Sequence, residues 1–322
     1  MNKPVLLLLF NRPKETSVLF DRLSQIKPKK IYINQDGPRQ KNPEDLTLCE
    51  EVRRIALKPK WDCEVIAKIS KKNLGCRESV STGISWFFEK NTDGVILEDD
   101  CIPSKTFFEF SQNMLEKYQN ENDVFLISGS NFQKNKTFGD GDYYFSKYAH
   151  CWGWSTWKRS WKFFDEKFDF WNKWKSTNHW KHFHESSLER KYWTRIFDKV
   201  RNKEIDSWAY IWLASVWYNN GKTITPNFNL IENIGFNENA THTISPNYFH
   251  ENKIIEFNKP YKHPSKKQID YEADKEVFKN HFNGKFNFWP WRFLYLSKIF
   301  LKSPRAFFLK LKKKLKYEKK IS

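Results

Sequence analysis

Five short apolar runs recur through the first 128 residues: VLLLLF (5–10), KIYIN (30–34), CEVIAKI (63–69), GVIL (94–97) and VFLIS (124–128). Strands buried on both faces of a sheet read as unbroken runs of this kind. Between them lie stretches with helical spacing at 13–25, 42–57, 77–89 and 104–118. The first opens on proline, which suits the first turn of a helix, and the second offers Asn42 as N-cap. Strands alternating with helices predict an α/β fold, a mostly parallel sheet with helices on both faces. Ligands of such sheets bind beyond the carboxyl ends of the strands. Three polar clusters fall at such ends: Asn11-Arg12, Asp36 and Glu98-Asp99-Asp100.

The second half is less regular. Residues 143–180 are dense in tryptophan, 185–200 and 208–219 have helical spacing, and 223–234 reads as extended. Residues 250–285 are polar and Lys-rich without clear periodicity, as expected of a surface wrap or linker. The formal net charge is +18, and residues 286–322 hold eleven Lys or Arg against one Glu, so more than half of the excess sits in this tail. The body is only moderately basic, which argues against a nucleic-acid partner. Five scattered cysteines with no CxxC pair fit a reducing compartment and no zinc site. The apolar run 5–10 is too short for a membrane span, and secretion is not expected.

The acid triplet asks for an explanation. Adjacent carboxylates ~6 Å apart repel by roughly 2–3 kcal/mol per pair at an effective dielectric of ~20. A solvated turn would screen that cost, and the start of the following helix would offset it through the dipole. A divalent cation with oxygen ligands would turn the repulsion into coordination. Such a cation stabilises a departing nucleotide diphosphate by Lewis acidity.

Arg12 and Arg77 are candidates for an anionic ligand, or for ordinary surface salt bridges. Asp36 could accept from a base or ribose, or could simply form the turn before Gly37. Asp206, in EIDSWAYIW, could cap the next helix. It could equally take the proton from an attacking hydroxyl; Asp165, Asp169 and Glu232 are its rivals. His242, in GFNENATHT, is a loop histidine or a ligand for metal or pyrophosphate. His179, His182 and His184 form HWKHFH and are expected at the surface. The tryptophans either stack on sugar rings or fill a core.

The order FNRP, NQDGP, an Arg-bearing helix, VILEDDCIPSKTFFEF, CWGWSTW, DSWA and GFNENATHT resembles the GT-A glycosyltransferases. The resemblance is to the N-acetylglucosaminyltransferase I family and related bacterial polysaccharide glycosyltransferases, and it covers residues 4–243. It implies a GT-A-type, Rossmann-like domain over 1–245, with a nucleotide-sugar half at about 1–130 and an acceptor half at about 131–245. A linker (246–285) and a basic amphipathic tail (286–322) follow. Carried over, Asp100 binds Mn²⁺ or Mg²⁺, Asp99 the ribose and Glu98 the sugar. Asn11, Arg12, Asp36 and Arg77 hold the nucleotide, with Asn11 standing where the animal enzymes have an acid. Asp206 falls at the catalytic base, and His242 at the metal or pyrophosphate. Gly153, Trp154 and Trp208 lie on the acceptor side. The animal enzymes' N-terminal membrane anchor is not expected here.

The expected activity is therefore inverting transfer from a nucleotide-sugar, a UDP-sugar by the resemblance, to a glycan or lipid-linked glycan. Nucleotidyl or phosphoryl transfer would call for a Gly-rich phosphate loop, and neither GxGxxG nor GxxxxGK[ST] is present. A noncatalytic carbohydrate-binding protein would leave the acid triplet without a purpose. In the tail, apolar and basic residues interleave around Pro304, as in helices lying in a membrane interface. The expectation is a cytoplasmic protein held at the inner membrane of a bacterium through anionic lipid.

Overall fold

A computed structural model describes residues 2–134, 136–235, 254–257, 259–288 and 290–304. His242 and tail residues 305–322 lie outside them. In chain order the first elements are β1 (Val5–Leu9), α1 (Pro13–Ile26), β2 (Lys30–Gln35), α2 (Glu44–Ala56), β3 (Glu64–Ile69), α3 (Cys76–Lys90) and β4 (Asp93–Glu98). Then come β5 (Cys101–Pro103), α4 (Lys105–Lys117), β6 (Val124–Ser128), β7 (Tyr143–Ser146), β8 (Trp154–Trp157) and α5 (Lys158–Trp161). The remainder comprises α6 (Phe170–Trp174), α7 (Asn178–Phe183), α8 (Ser187–Arg201), α9 (Trp208–Tyr218), β9 (Lys222–Pro226), β10 (Ile231–Asn233), α10 (Tyr271–Asn280) and α11 (Trp291–Lys302).

The chain divides into two compact units, 1–167 with 207–274, and 168–206 with 275–322. The first holds an eight-stranded, mostly parallel sheet in the order β3-β2-β1-β4-β8-β6-β9-β7, flanked by helices. The four strands β3, β2, β1 and β4 run parallel, β8 lies antiparallel between β4 and β6, and β7 is an antiparallel edge. All five residues of β1 are buried, as a strand covered on both faces demands. Val5, Leu7 and Leu9 share a core layer with Leu19 and Leu23 of α1 and Phe107 and Phe110 of α4. Tyr32, out of phase with Ile31 and Ile33, meets Phe87 of α3 on the opposite face.

The tryptophan-rich stretch contributes to both units. Trp154 (1% exposed) and Trp208 (3%) are core residues of the first unit, stacked with ring centroids 5.9 Å apart and packed with Trp161 and Trp212. In the second unit Trp171, Trp174 and Trp180 pack on Phe197 or on one another.

Several local expectations change. Asn42 does not cap α2; that position is Pro43, one residue on. Ser207, not Asp206, caps α9, its hydroxyl accepting from the Tyr210 amide at 3.4 Å. The extended stretch 223–234 splits between two sheets, because β10 leaves the main sheet to pair with β5. The stretch 250–285 contains a helix, α10. His184 is buried with its Nδ1 3.4 Å from Glu189, whereas His179 and His182 are exposed.

Candidate active site

Strand order turns back at β1: β2 and β3 lie to one side, β4 and the rest to the other. This is the switch point at which open α/β sheets form a binding crevice. Residues 10–12 leave β1 there and residues 98–100 leave β4, with Leu8 paired to Glu98 in the register. Arg12 reaches across the crevice. Its Nη1 lies 3.0 Å from Asp99 Oδ1 and 2.8 Å from Asp100 Oδ2. The sheet thus brings together Arg12, Glu98, Asp99 and Asp100.

Asp100 is set by the second, two-stranded sheet. Its carbonyl accepts from the Ile234 amide at 2.9 Å, and its Oδ1 accepts from Asn233 Nδ2 at 3.3 Å. Gly235 packs directly on the Asp100 carboxylate, where a Cβ would collide with Oδ2. Asn233 and Gly235 were not identified from the sequence. The only signal was that GFNENATHT begins at Gly235.

Three carboxyls stand together here, and two of them pair with one guanidinium. Burial, with repulsion from Asp100 and Asp99, holds Glu98 above the usual carboxylate range despite Arg12. Burial also raises Asp99, against the pull of Arg12. For Arg12, burial opposes the charge, but Asp99, Asp100 and Glu98 outweigh it and leave the guanidinium more firmly protonated than usual. Fully ionised, the cluster would carry more negative charge than its one cation offsets, and its donors are hard oxygens. Such a donor set fits a divalent cation. Among the described residues no group of three or more His, Cys, Asp or Glu could by itself hold a metal ion. A cation on Asp100, with Asp99 beside it, would draw its other oxygens from ligand phosphate and water, as Mg²⁺ commonly does.

The remaining candidates are placed differently. Asp36, just past β2, accepts from the amides of Gly37 (2.8 Å), Leu74 (2.9 Å) and Gly75 (3.2 Å) and from Asn73 Nδ2 (3.0 Å). Four donors fill the lone-pair sites of a carboxylate, so Asp36 ties down the loop ahead of α3. Asn11 turns away from Arg12 and donates to Asp45 Oδ1 at 2.7 Å. Asp45 is buried and held in a two-pronged pair with Arg39, at 2.6 and 2.9 Å. Arg39 lies over the Phe10 ring. Asp45 and Arg39 also escaped the sequence reading, because an acid at a helix start is unremarkable there.

Arg77, in the first turn of α3, donates to the Glu166 carbonyl. Gly153 is buried at φ +59° and its carbonyl accepts from the Gly129 amide at 2.7 Å. A Cβ there would strike Ile231, so this glycine answers a backbone requirement. Trp154 and Trp208, expected on the acceptor side, are instead core residues with no exposed ring face. Asp206 is exposed and closes the first segment of the second unit. Glu232 is exposed on β10, out of phase with Asn233. Asp165 accepts from the Lys167 amide, and Asp169 pairs with Arg201. No protein family and no curated protein matches this chain.

Proposed function

We propose that the chain is a metal-dependent, inverting glycosyltransferase of the GT-A type. It moves a sugar from a nucleotide-sugar, a UDP-sugar by preference, to a glycan or lipid-linked glycan. The observation that carries this reading is the under-compensated triplet Glu98-Asp99-Asp100 beside Arg12 at the switch point of the sheet.

Asp100 and Asp99 would hold Mn²⁺ or Mg²⁺, which when bound offsets charge on the departing diphosphate. Asp99 and Glu98 orient ribose and sugar, and Arg12 fixes the carboxylates. An acceptor hydroxyl attacks the anomeric carbon as the bond to the nucleoside diphosphate breaks. The hydroxyl proton passes to Asp206, and configuration inverts in the single displacement. Ser207 performs the capping that could otherwise explain Asp206. His242 would close over metal or pyrophosphate.

The tail adds a location. In α11 the side chains of Phe293, Leu294, Phe300 and Leu301 are exposed, Leu301 by 81%. Their spacing puts them on one side of the helix, and basic residues interleave along the tail. This supports peripheral attachment to an anionic membrane on the cytoplasmic side of a bacterial cell. No helix among the described residues is long and apolar enough to cross a membrane.

The test is release of UDP from a panel of UDP-sugars with and without Mn²⁺. Metal-dependent release from one or two donors is expected. Absence of release from every donor, with intact folded protein, would contradict the reading.

A further inference from the structure

The second unit carries an open groove of about 890 Å³ whose lining includes six Lys or Arg and two acids. On α8, Lys191, Arg195 and Lys199 recur every four residues and so form one stripe. Like charges at this spacing destabilise a helix, so the stripe costs stability unless something negative answers it. Lys199 is partly answered by Glu204 at 3.8 Å, and Arg195 lies over the Phe288 ring. Lys181 and Lys191 are exposed and meet no carboxylate within ion-pair distance among the described residues. Arg190 is held in place by the Lys181 carbonyl.

The rest of the lining selects among anions. Trp180 is 3% exposed with its indole N–H bound to Thr194, and Phe288 is covered by Arg195. Nucleobases binding a single-strand groove stack on exposed rings; Trp180 is buried and Arg195 occupies one face of Phe288. Exposed Ser176 and Asn178 instead offer hydroxyl and amide groups beside the cations. Hydroxyls to hydrogen-bond and acidic groups to neutralise are the chemistry of an acidic sugar chain.

We propose that this groove binds an anionic saccharide, its carboxylate or phosphate groups meeting Lys181, Lys191 and Arg195. Naming that saccharide as the acceptor rests on the glycosyltransferase reading; the binding itself does not. The test is calorimetry of the full chain with an oligogalacturonate, a neutral galacto-oligosaccharide of equal length, inorganic pyrophosphate and a single-stranded oligonucleotide. The oligogalacturonate should bind in a salt-sensitive manner and the neutral chain should not. Because the tail is also basic, the decisive comparison is the double variant Lys181→Ala/Lys191→Ala. It should weaken oligogalacturonate binding about tenfold, the scale of two exposed ion pairs, with UDP affinity unchanged and the melting temperature not lowered, since the stripe loses a repulsion. Equal affinity in the variant would overturn the proposal. So would variant-sensitive binding confined to pyrophosphate or to the oligonucleotide. Saccharide binding without UDP release from any donor would sink the glycosyltransferase reading and leave the groove standing; UDP release with variant-insensitive binding would do the reverse.

Discussion

Asp36, at the end of β2, takes four donors onto its two oxygens, whereas at the end of β4 Asp99 and Asp100 share the guanidinium of Arg12 and Glu98 stands beside them. Both groups lie on the carboxyl edge of one sheet, and both combine acids with a nearby loop. The first is closed, with every lone pair spent inside the protein. The second is open: burial raises Glu98 and Asp99 as it raises Asp36, but here one guanidinium stands in place of four donors. Carboxylates at a strand end therefore do not by themselves mark a binding site; unspent capacity does. The Asp45–Arg39 pair, reinforced by Asn11, is a second closed case on the same edge.

The largest effect belongs to a residue outside both groups. If the β4 acids serve only the donor, the base must stand elsewhere, and Asp206→Asn should cut transfer by about 10²-fold or more while keeping UDP affinity. Its melting temperature should not move, since Ser207 provides the cap. A kcat close to that of the unaltered chain on the true acceptor would pass the role to Asp165, Asp169 or Glu232.

Asp36→Ala should act on the fold. It strands three backbone amides and the Asn73 side chain, partly buried, at a cost of about 3 kcal/mol. Urea denaturation measures this. Full stability combined with weakened UDP binding would show that Asp36 is a ligand residue after all, and the contrast between the two strand ends would break. Arg12→Ala should cost less, about 1–3 kcal/mol, because the guanidinium is 28% exposed. An unchanged urea midpoint would mean that water already screens the triplet.

The smallest effect is a pH signature of the closed Asp45 pair. Arg39 holds the Asp45 carboxyl below its ordinary range, with burial opposing. A depressed carboxyl contributes stability above its unfolded pKa and loses it as pH falls through the folded one. Arg39→Ala should therefore destabilise by about 0.5 kcal/mol at neutral pH, since Arg39 is half exposed. The difference should vanish in acid. A difference that persists below the folded pKa would assign it to the contact of Arg39 with Phe10.

How much could be read from the chain follows from which forces are local. The five apolar runs became β1, β2, β3, β4 and β6; in β1 and β6 burial on both faces writes itself into consecutive residues, while β3, at the sheet edge, has no buried residue. The strands β7 and β8 were missed, since in the aromatic stretch every residue type suits core, strand or helix alike. Glu98, Asp99 and Asp100 were legible as residues that cost energy where they stand, and Arg12 as a candidate for an anionic ligand. That Arg12 bridges two of the acids was not, because it depends on β1 and β4 being neighbours. The pairing of Asn11 with Asp45 and the loop held by Asp36 join residues 34 to 39 positions apart, which no local pattern announces. Trp154 and Trp208 misled for the opposite reason: tryptophan suits a sugar face and a core equally well, and only burial tells the two apart.

The open triplet is proposed to receive a cation and a nucleotide diphosphate. Calorimetry of UDP binding to Asp100→Ala, with and without Mn²⁺, tests this most directly. Asp100→Ala should remain folded while its Mn²⁺-dependent UDP binding falls by more than about 100-fold, as expected when a metal ligand itself is removed rather than a supporting partner. UDP affinity equal to that of the unaltered chain in Mn²⁺ would contradict it.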